Sequence, residues 1–122
     1  MTRRLPTSFL IGCATAAHQV EGGIDNDWST WERQQPSPIA DGSTAERAIE
    51  HYARFSDDIE QLGGAGHNAH RFSVEWARVE PSPGVFDSAA LRHYCDVART
   101  CRANGIEPVV TLQHFTLPRW LA

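Results

Sequence analysis

The chain has 122 residues, which is enough for one small domain. Apolar residues make up 41% and charged residues 21%, values near the averages of globular domains that exclude a disordered or collagen-like chain. The net charge of −4 comes without any run of Lys or Arg and without a long apolar stretch. We therefore expect no nucleic-acid partner and no membrane span.

The first half of the chain predicts one strand, one long loop and one helix. Residues 9–14 form a short apolar run that predicts a strand buried on both faces. A polar, irregular segment then extends to about residue 42, and loops of such length are usually functional. A capping-box pattern at residues 43–46 predicts the start of a helix. Apolar residues at steps of three and four continue it to Leu62, and Gly63-Gly64 predicts its end.

The second half predicts strand, helix and strand again. Residues 69–76 are predicted as a strand, followed by a turn at 81–84. Asp87 or Ser88 is predicted to cap a helix that ends at Gly105. Its apolar face is expected to comprise Leu91, Tyr94, Cys95, Ala98 and Cys101. Residues 108–112 predict a third buried strand, and residues 117–122 predict the onset of another helix.

The predicted order β-α-β-α-β indicates an α/β fold with a parallel sheet joined by right-handed crossovers. Three strands followed by the beginning of another element indicate an incomplete domain. We interpret residues 1–122 as the N-terminal part of a single TIM (β/α)8 barrel domain, in which function gathers at the carboxyl ends of the strands.

Polar and aromatic side chains follow each predicted strand. They are His18, Gln19 and Glu21 after the first, Arg71, Ser73 and Glu75 along the second, and Gln113, His114 and Phe115 after the third. Amide and imidazole groups can bind sugar hydroxyls, and an aromatic face can cover a sugar ring. A single Gln or His after a strand is, however, more often an ordinary capping or solvent-facing residue. Arg71 could equally form a salt bridge with Glu75.

The cysteine and histidine patterns point away from disulfides and metals. Cys13, Cys95 and Cys101 are odd in number and include no Cys-x-x-Cys motif, which favours small core residues in a reducing cytoplasm. The apolar run near the start has only about five residues, shorter than an export signal requires. His67 and His70 would point to opposite faces of a strand, so we predict no metal site and no cofactor.

Three segments of the sequence resemble glycoside hydrolase family 1, the β-glucosidase and β-galactosidase family. Residues 9–22 are similar to its Phe-x-x-Gly-x-Ala-Thr-Ala-Ala-Tyr-Gln-x-Glu-Gly signature. Residues 70–81 are similar to the Tyr-Arg-Phe-Ser-Ile-x-Trp-x-Arg-Ile-x-Pro block, and residues 105–121 to the Gly-Ile-x-Pro-x-Val-Thr-Leu-x-His-x-x-Leu-Pro block. Asp57-Asp58-Ile59 fits the helix between the first two. The matches are ordered and cover nearly the whole chain.

The resemblance implies roles for individual residues. Gln19 and His114 would hydrogen-bond hydroxyls of the non-reducing sugar, and Arg71 would lie beside the catalytic nucleophile and keep that carboxylate ionised. Phe115 stands where the family often has Trp, so an aromatic wall remains without the indole N–H. Glu21 and Glu75 do not match the family's catalytic positions. We interpret Glu21 as structural and Glu75 as a variable residue at the strand end.

The resemblance also implies a retaining mechanism, which needs one glutamic acid and one nucleophilic glutamate. These belong to Thr-x-Asn-Glu-Pro and Thr-Glu-Asn-Gly blocks, and neither string occurs in the 122 residues. We therefore expect the chain alone to be inactive on its small-molecule partner, a β-glycoside or oligosaccharide. Alternatives are a non-catalytic carbohydrate-binding or assembly module, or part of a phospho-β-glycosidase. Nothing in the sequence sets the sugar preference or the oligomeric state.

Overall fold

The computed structural model describes residues 4–122. In chain order its elements are β1 (Gly12–Ala14), α1 (Ala17–Val20), α2 (Asp27–Glu32), α3 (His51–Gly64), β2 (Ala69–Ser73), α4 (Trp76–Val79), α5 (Ser88–Ala103) and β3 (Glu107–Thr111). The three strands form one parallel sheet in the order β1-β2-β3. The predicted β-α-β-α-β order and the parallel pairing are confirmed, with three further short helices in the loops.

The core lies between the sheet and the two long helices. Its buried members are Ile59 of α3, Phe72 of β2, Tyr94, Val97 and Cys101 of α5, and Ile106 before β3. Tyr52, Phe55 and Leu62 of α3 pack against this cluster from the other side. Burying these apolar side chains, each worth roughly 1.5–3 kcal/mol, holds both helices on the same face of the sheet.

Helix α5 begins where the sequence predicts, but its buried face is rotated. Asp87 is the N-cap, and its side chain accepts hydrogen bonds from the N–H groups of Ala89 and Ala90. Along the helix, the core-facing residues are Ala90, Tyr94, Val97 and Cys101, whereas Leu91 and Cys95 are exposed. The predicted face was wrong at these two positions because successive residues turn by about 100°, which places them away from the sheet.

Helix α3 begins at His51, later than the sequence predicts. Ala48 and Glu50 have φ values of 48° and 60°, a left-handed conformation that cannot continue an α-helix. The predicted capping box at 43–46 is replaced by tertiary contacts, since the Gly23 N–H donates to the Glu46 carbonyl at 2.7 Å. Gly22 also has a positive φ, and a Cβ there would lie 2.3 Å from the Arg47 carbonyl oxygen. Only glycine fits this close approach.

β1 and β2 are shorter than predicted, β3 begins and ends one residue earlier, and β1 and β3 are less buried than predicted. β1 has three residues, with Phe9, Leu10 and Ile11 exposed before it, and Val109 and Val110 of β3 are also exposed. The expectation of buried strands was wrong for β1 and β3, because among the described residues α3 and α5 cover only one face of the sheet.

The ends of two predicted elements also differ. β2 stops at Ser73, and Glu75 serves as the N-cap of α4 instead of continuing the strand. The predicted helix at 117–122 is a turn closed by the Leu121 N–H and the Pro118 carbonyl, 2.9 Å apart. Pro118 pairs with Asn26 in an isolated antiparallel bridge, which requires extended backbone there. Among the helices of residues 4–122, none has the length and apolar character that a membrane crossing requires.

Candidate functional site

The carboxyl ends of the three strands lie at one edge of the sheet, as parallel pairing requires. Gln19 lies on α1, directly after β1, and its side chain is exposed. Gln19 and His18 help to line an open cavity of about 380 Å³, together with residues of α2 and of the segment 39–48. An amide at the wall of an open cavity is free to exchange water for hydroxyl groups of a ligand.

A chain of aromatic contacts connects the loop after β1 with the loop after β3. His18 meets Trp28 edge to face at 5.7 Å between ring centroids, and Trp28 stacks on Phe115 at 6.4 Å. Phe115 in turn meets His114 at 4.8 Å. The structure therefore places His18, the neighbour of Gln19, in the same series of aromatic contacts as Phe115 and His114.

Phe115 holds its ring in this series of contacts at the cost of an unfavourable backbone conformation. Its φ is 67°, in the left-handed region, and its side chain is 69% exposed. Trp31 is also exposed and lines a cavity of about 500 Å³ with Trp28 and Asp27. Exposed rings held in a fixed arrangement are an unfavourable use of apolar surface unless they bind something.

Arg71 lies in β2, half-buried, and its Nη1 donates to the Thr15 carbonyl at 3.3 Å. In the part of the chain that the structure describes, no ion pair joins Arg71 to Glu75. The alternative of a local salt bridge between these two residues was wrong because the strand ends between them. Glu75 instead turns into the protein, while Arg71 lies beside the backbone of the segment after β1.

Glu75 is 1% exposed and accepts hydrogen bonds from three elements. The Thr116 hydroxyl donates to its two carboxylate oxygens at 3.2 and 3.0 Å, and Asn26 Nδ2 donates at 3.4 Å. The third donor is the N–H of Ala77 in α4, also at 3.4 Å. The interpretation of Glu75 as a variable strand-end residue missed this role, because its partners lie 49 and 41 residues away in sequence.

Asn26 continues this network to the loop after β1. Its side-chain oxygen caps α2 by accepting from the Ser29 N–H at 2.8 Å, and its Nδ2 lies 3.2 Å from His18 Nδ1. Because an amide nitrogen only donates, His18 Nδ1 accepts and its proton sits on Nε2. That Nε2 faces the Glu32 carboxylate at 3.7 Å. The imidazole next to Gln19 is thus fixed in both orientation and tautomer.

Glu21 forms a second buried cluster behind the first. Arg78 Nε donates to its carboxylate at 2.8 Å, and the Tyr94 hydroxyl donates at 3.0 and 3.2 Å. Burial raises the pKa of Glu21 to about 7, although Arg78 and Tyr94 oppose the rise. Burial and the Glu21 charge also raise the pKa of Tyr94, which therefore stays a neutral donor. These contacts account for the side chain of Glu21 and are in keeping with a structural role.

Among the described residues, the cysteines and the other histidines form neither a disulfide nor a cluster of metal ligands. The three cysteines are free, and Cys13 lies beside His70, with Sγ and Nδ1 3.2 Å apart. Burial lowers the pKa of His70, which favours a neutral ring beside the thiol. Within residues 4–122, no three His, Cys, Asp or Glu side chains come together as metal ligands would. Cys101 is a core residue as expected, whereas the expectation was wrong for the exposed Cys95.

Comparison with known proteins assigns a family to this arrangement. Residues 1–122 match the family model described as Glycosyl hydrolase family 1. Coniferin beta-glucosidase of Pinus contorta is 37% identical over 95% of this chain, and Beta-glucosidase A of Acetivibrio thermocellus is 38% identical over 95%. The family 1 β-glucosidase structure from Thermotoga maritima superimposes with a TM-score of 0.91 at 34% identity over 98% of this chain.

The same comparisons set the extent of the match. The chain spans only 24% and 27% of the two curated relatives and 29% of the Thermotoga maritima structure. These neighbours are barrel enzymes, and the described β-α-β-α-β unit superimposes on part of their fold. The predicted fold class, an N-terminal portion of a TIM barrel, is thereby confirmed.

Proposed function

The chain belongs to glycosyl hydrolase family 1, and we propose from this premise that it is the N-terminal part of a retaining β-glycosidase of β-glucosidase type. Residues 1–122 would form the opening portion of a single barrel domain; residues 1–3 lie outside the described part. The substrate class is a small β-glycoside or oligosaccharide with a terminal β-linked sugar. The observation that supports the proposal is the series of aromatic contacts that joins His18, next to Gln19, with Phe115 and His114 at the carboxyl edge of the sheet.

Gln19, His114 and Phe115 each have a proposed task. Gln19 offers an amide donor and acceptor to neighbouring hydroxyls, and His114 adds a second polar contact. Phe115, stacked on Trp28, provides an apolar face for the sugar ring. The Phe115 ring has no N–H and cannot hydrogen-bond a hydroxyl, so it contacts the sugar only through its face. Discrimination between sugar hydroxyls is therefore assigned to the amide of Gln19 and the imidazole of His114.

Arg71 is proposed to act on the nucleophile. Among residues 4–122 its guanidinium donates one hydrogen bond, to the Thr15 carbonyl, so further N–H donors remain for a carboxylate. A positive charge near a carboxylate lowers the pKa of that carboxylate, which keeps a nucleophilic glutamate ionised. The retaining reaction also needs a general acid about 5–5.5 Å from the nucleophile. Since neither family block for these glutamates occurs in the sequence, the 122 residues alone are proposed to be inactive.

The test compares the full-length protein that contains residues 1–122 with the 122-residue chain. Both are assayed with aryl β-glucoside, aryl β-galactoside and the 6-phosphorylated forms of the two sugars. We expect turnover of an unphosphorylated substrate by the longer protein and none by the shorter one. Turnover restricted to phosphorylated sugars would show a phospho-β-glycosidase, and no turnover of any substrate would contradict the proposal in favour of a binding or assembly module.

A cytoplasmic location is proposed on the cysteine chemistry. Cys95 is exposed, and a free exposed thiol persists most readily in a reducing compartment. Cell fractionation of the native host, with the protein followed by antibody, checks this proposal. Recovery from the medium or the periplasm would contradict it.

A further inference from the structure

We propose that Glu75 is a positioning residue of the sugar site, which ties the loop after β1 to the loop after β3 and so sets the separation of Gln19 from His114. The inference rests on the proposed function, because it assumes that the two loops carry side chains that bind a sugar. Glu75 does not contact the side chain of Gln19 or His114; it acts through Thr116 on one side and through Asn26 and His18 on the other.

The tie to the loop after β3 is the stronger one. Thr116 is 5% exposed, and its hydroxyl donates to the Glu75 carboxylate at 3.0 Å. Thr116 lies two residues after His114, and its N–H donates to the His114 carbonyl at 2.9 Å. A shift of Thr116 therefore moves the backbone that carries the His114 imidazole.

The tie to the loop after β1 runs through Asn26, which is fully buried. One N–H of its amide points to Glu75 Oε1 and the other to His18 Nδ1. His18 precedes Gln19 on the short helix α1, so a shift of the His18 backbone carries Gln19 with it. Hydrogen bonds to a carboxylate are stronger than those to a neutral acceptor, which suits a glutamate side chain between the two loops.

Capping of α4 does not account for this arrangement. The Ala77 N–H lies 3.4 Å from Glu75 Oε1, farther than the Thr116 hydroxyl, and glutamate is not among the residues favoured at an N-cap. The position would be filled equally well by a shorter Asp or Ser if capping were its purpose. The longer side chain is needed only to reach Thr116 and Asn26.

A second tie between the same loops makes the role testable. The Leu117 N–H donates to Asp27 Oδ1 at 2.8 Å, and the Asp27 N–H donates to the Leu117 carbonyl at 3.0 Å. These bonds do not involve Glu75. When Glu75 is replaced, we therefore expect the two loops to stay in contact while the positions of His18 and Thr116 become less fixed. We expect a loss of sugar binding that exceeds the loss of stability.

The experiment measures kcat and KM of the full-length protein on aryl β-glucoside for Glu75→Ala, Thr116→Val and Glu75→Gln. The first two variants break the tie and are expected to lower kcat/KM about tenfold or more. Glu75→Gln can accept from Asn26 and donate to the Thr116 oxygen, so it is expected to restore activity to within about threefold of the wild type. Asp58→Asn, which alters the His51–Asp58 pair outside both loops, is the matched control for stability.

A double-mutant cycle separates positioning from a general loss of stability. If Glu75 acts through Gln19, the double variant Glu75→Ala/Gln19→Ala will lose less than the product of the two single losses. Equal losses for Glu75→Gln and Glu75→Ala, or losses that multiply in the cycle, would overturn the inference while leaving the proposed function intact. A wild type inactive on every glycoside would overturn the proposed function itself. Thr116→Val keeps the test available if Glu75→Ala does not fold.

Discussion

In the loop after β1, the side-chain amide of Gln19 is the group that we propose to bind the sugar. Replacing it with Ala removes a donor and an acceptor that would be matched to neighbouring hydroxyls. We predict that Gln19→Ala in the full-length protein lowers kcat/KM on aryl β-glucoside about tenfold or more, with the melting temperature unchanged. Gln61→Ala, at an exposed position of α3, is the control. Equal activity of the two variants would remove Gln19 from the site.

Glu21 is predicted to make stability depend on pH near neutrality. Its pKa is raised from 4.5 to about 7, so the folded state favours the protonated form. The stabilisation is fully present below pH 4.5 and is lost as pH rises through 7, a change of about 3 kcal/mol. The groups that face it are Arg78, Tyr94 and Glu75.

The measurement is the free energy of unfolding of the full-length protein against pH, for the wild type and Glu21→Gln. Because an amide does not titrate, the wild type should lose stability relative to the variant between pH 4.5 and 7.5. Parallel curves across that range would show that the pKa of Glu21 is close to its ordinary value.

The candidate site could be predicted from the sequence only in part. Gln19, His114 and Phe115 follow predicted strands and Arg71 lies within one, so the strand pattern is enough to single them out. The roles proposed for them come from the family resemblance and stay predictions. Glu75, Asn26 and Thr116 gave no such signal, because a buried hydrogen-bond network among distant residues has no periodicity.

At the scale of elements, Asp87 controls the start of α5. Its carboxylate accepts from Ala89 N–H at 2.7 Å, satisfying one of the donors that a helix start leaves free. Asp87→Ala in the full-length protein is predicted to lower the free energy of unfolding by about 1 kcal/mol. Asp96→Ala, within the same helix on its exposed side, should change it far less. Urea titration of both variants checks the difference.

Element type was easier to predict than element ends. Helix α5 carries its own start signal in Asp87 and its own stop near Gly105, so local chemistry suffices. Helix α3 loses its first predicted turns because Glu32, Gly22 and Gly23 bind the segment 45–47 in a different conformation. Tertiary contacts outweigh a capping pattern that is worth about 1 kcal/mol.

At the scale of the whole molecule, the sheet presents unpaired edges at β1 and β3. Ile11 beside β1 and Val109, Val110 and Leu112 at β3 are exposed apolar residues. Unpaired strand edges with apolar side chains favour association between chains. The 122-residue chain, purified alone, is therefore predicted to aggregate or to remain partly molten, with no cooperative thermal transition.

Circular dichroism during heating and size-exclusion chromatography test this prediction. A sharp melt from a monomeric peak would contradict it and would show that α3 and α5 stabilise the sheet sufficiently. The full-length protein, measured under the same conditions, is the control and should melt cooperatively.

The ties between the first and third loops also bear on the order of events during synthesis. Glu75, Asn26, Thr116 and the Asp27–Leu117 pair all lie between residues 26 and 117. A nascent chain leaves the ribosome from its N-terminus, at about 5–20 residues each second. These loops can therefore begin to meet within seconds of emerging, and we expect the proposed sugar-binding surface to become fixed once later strands of a barrel pair with β1 and β3.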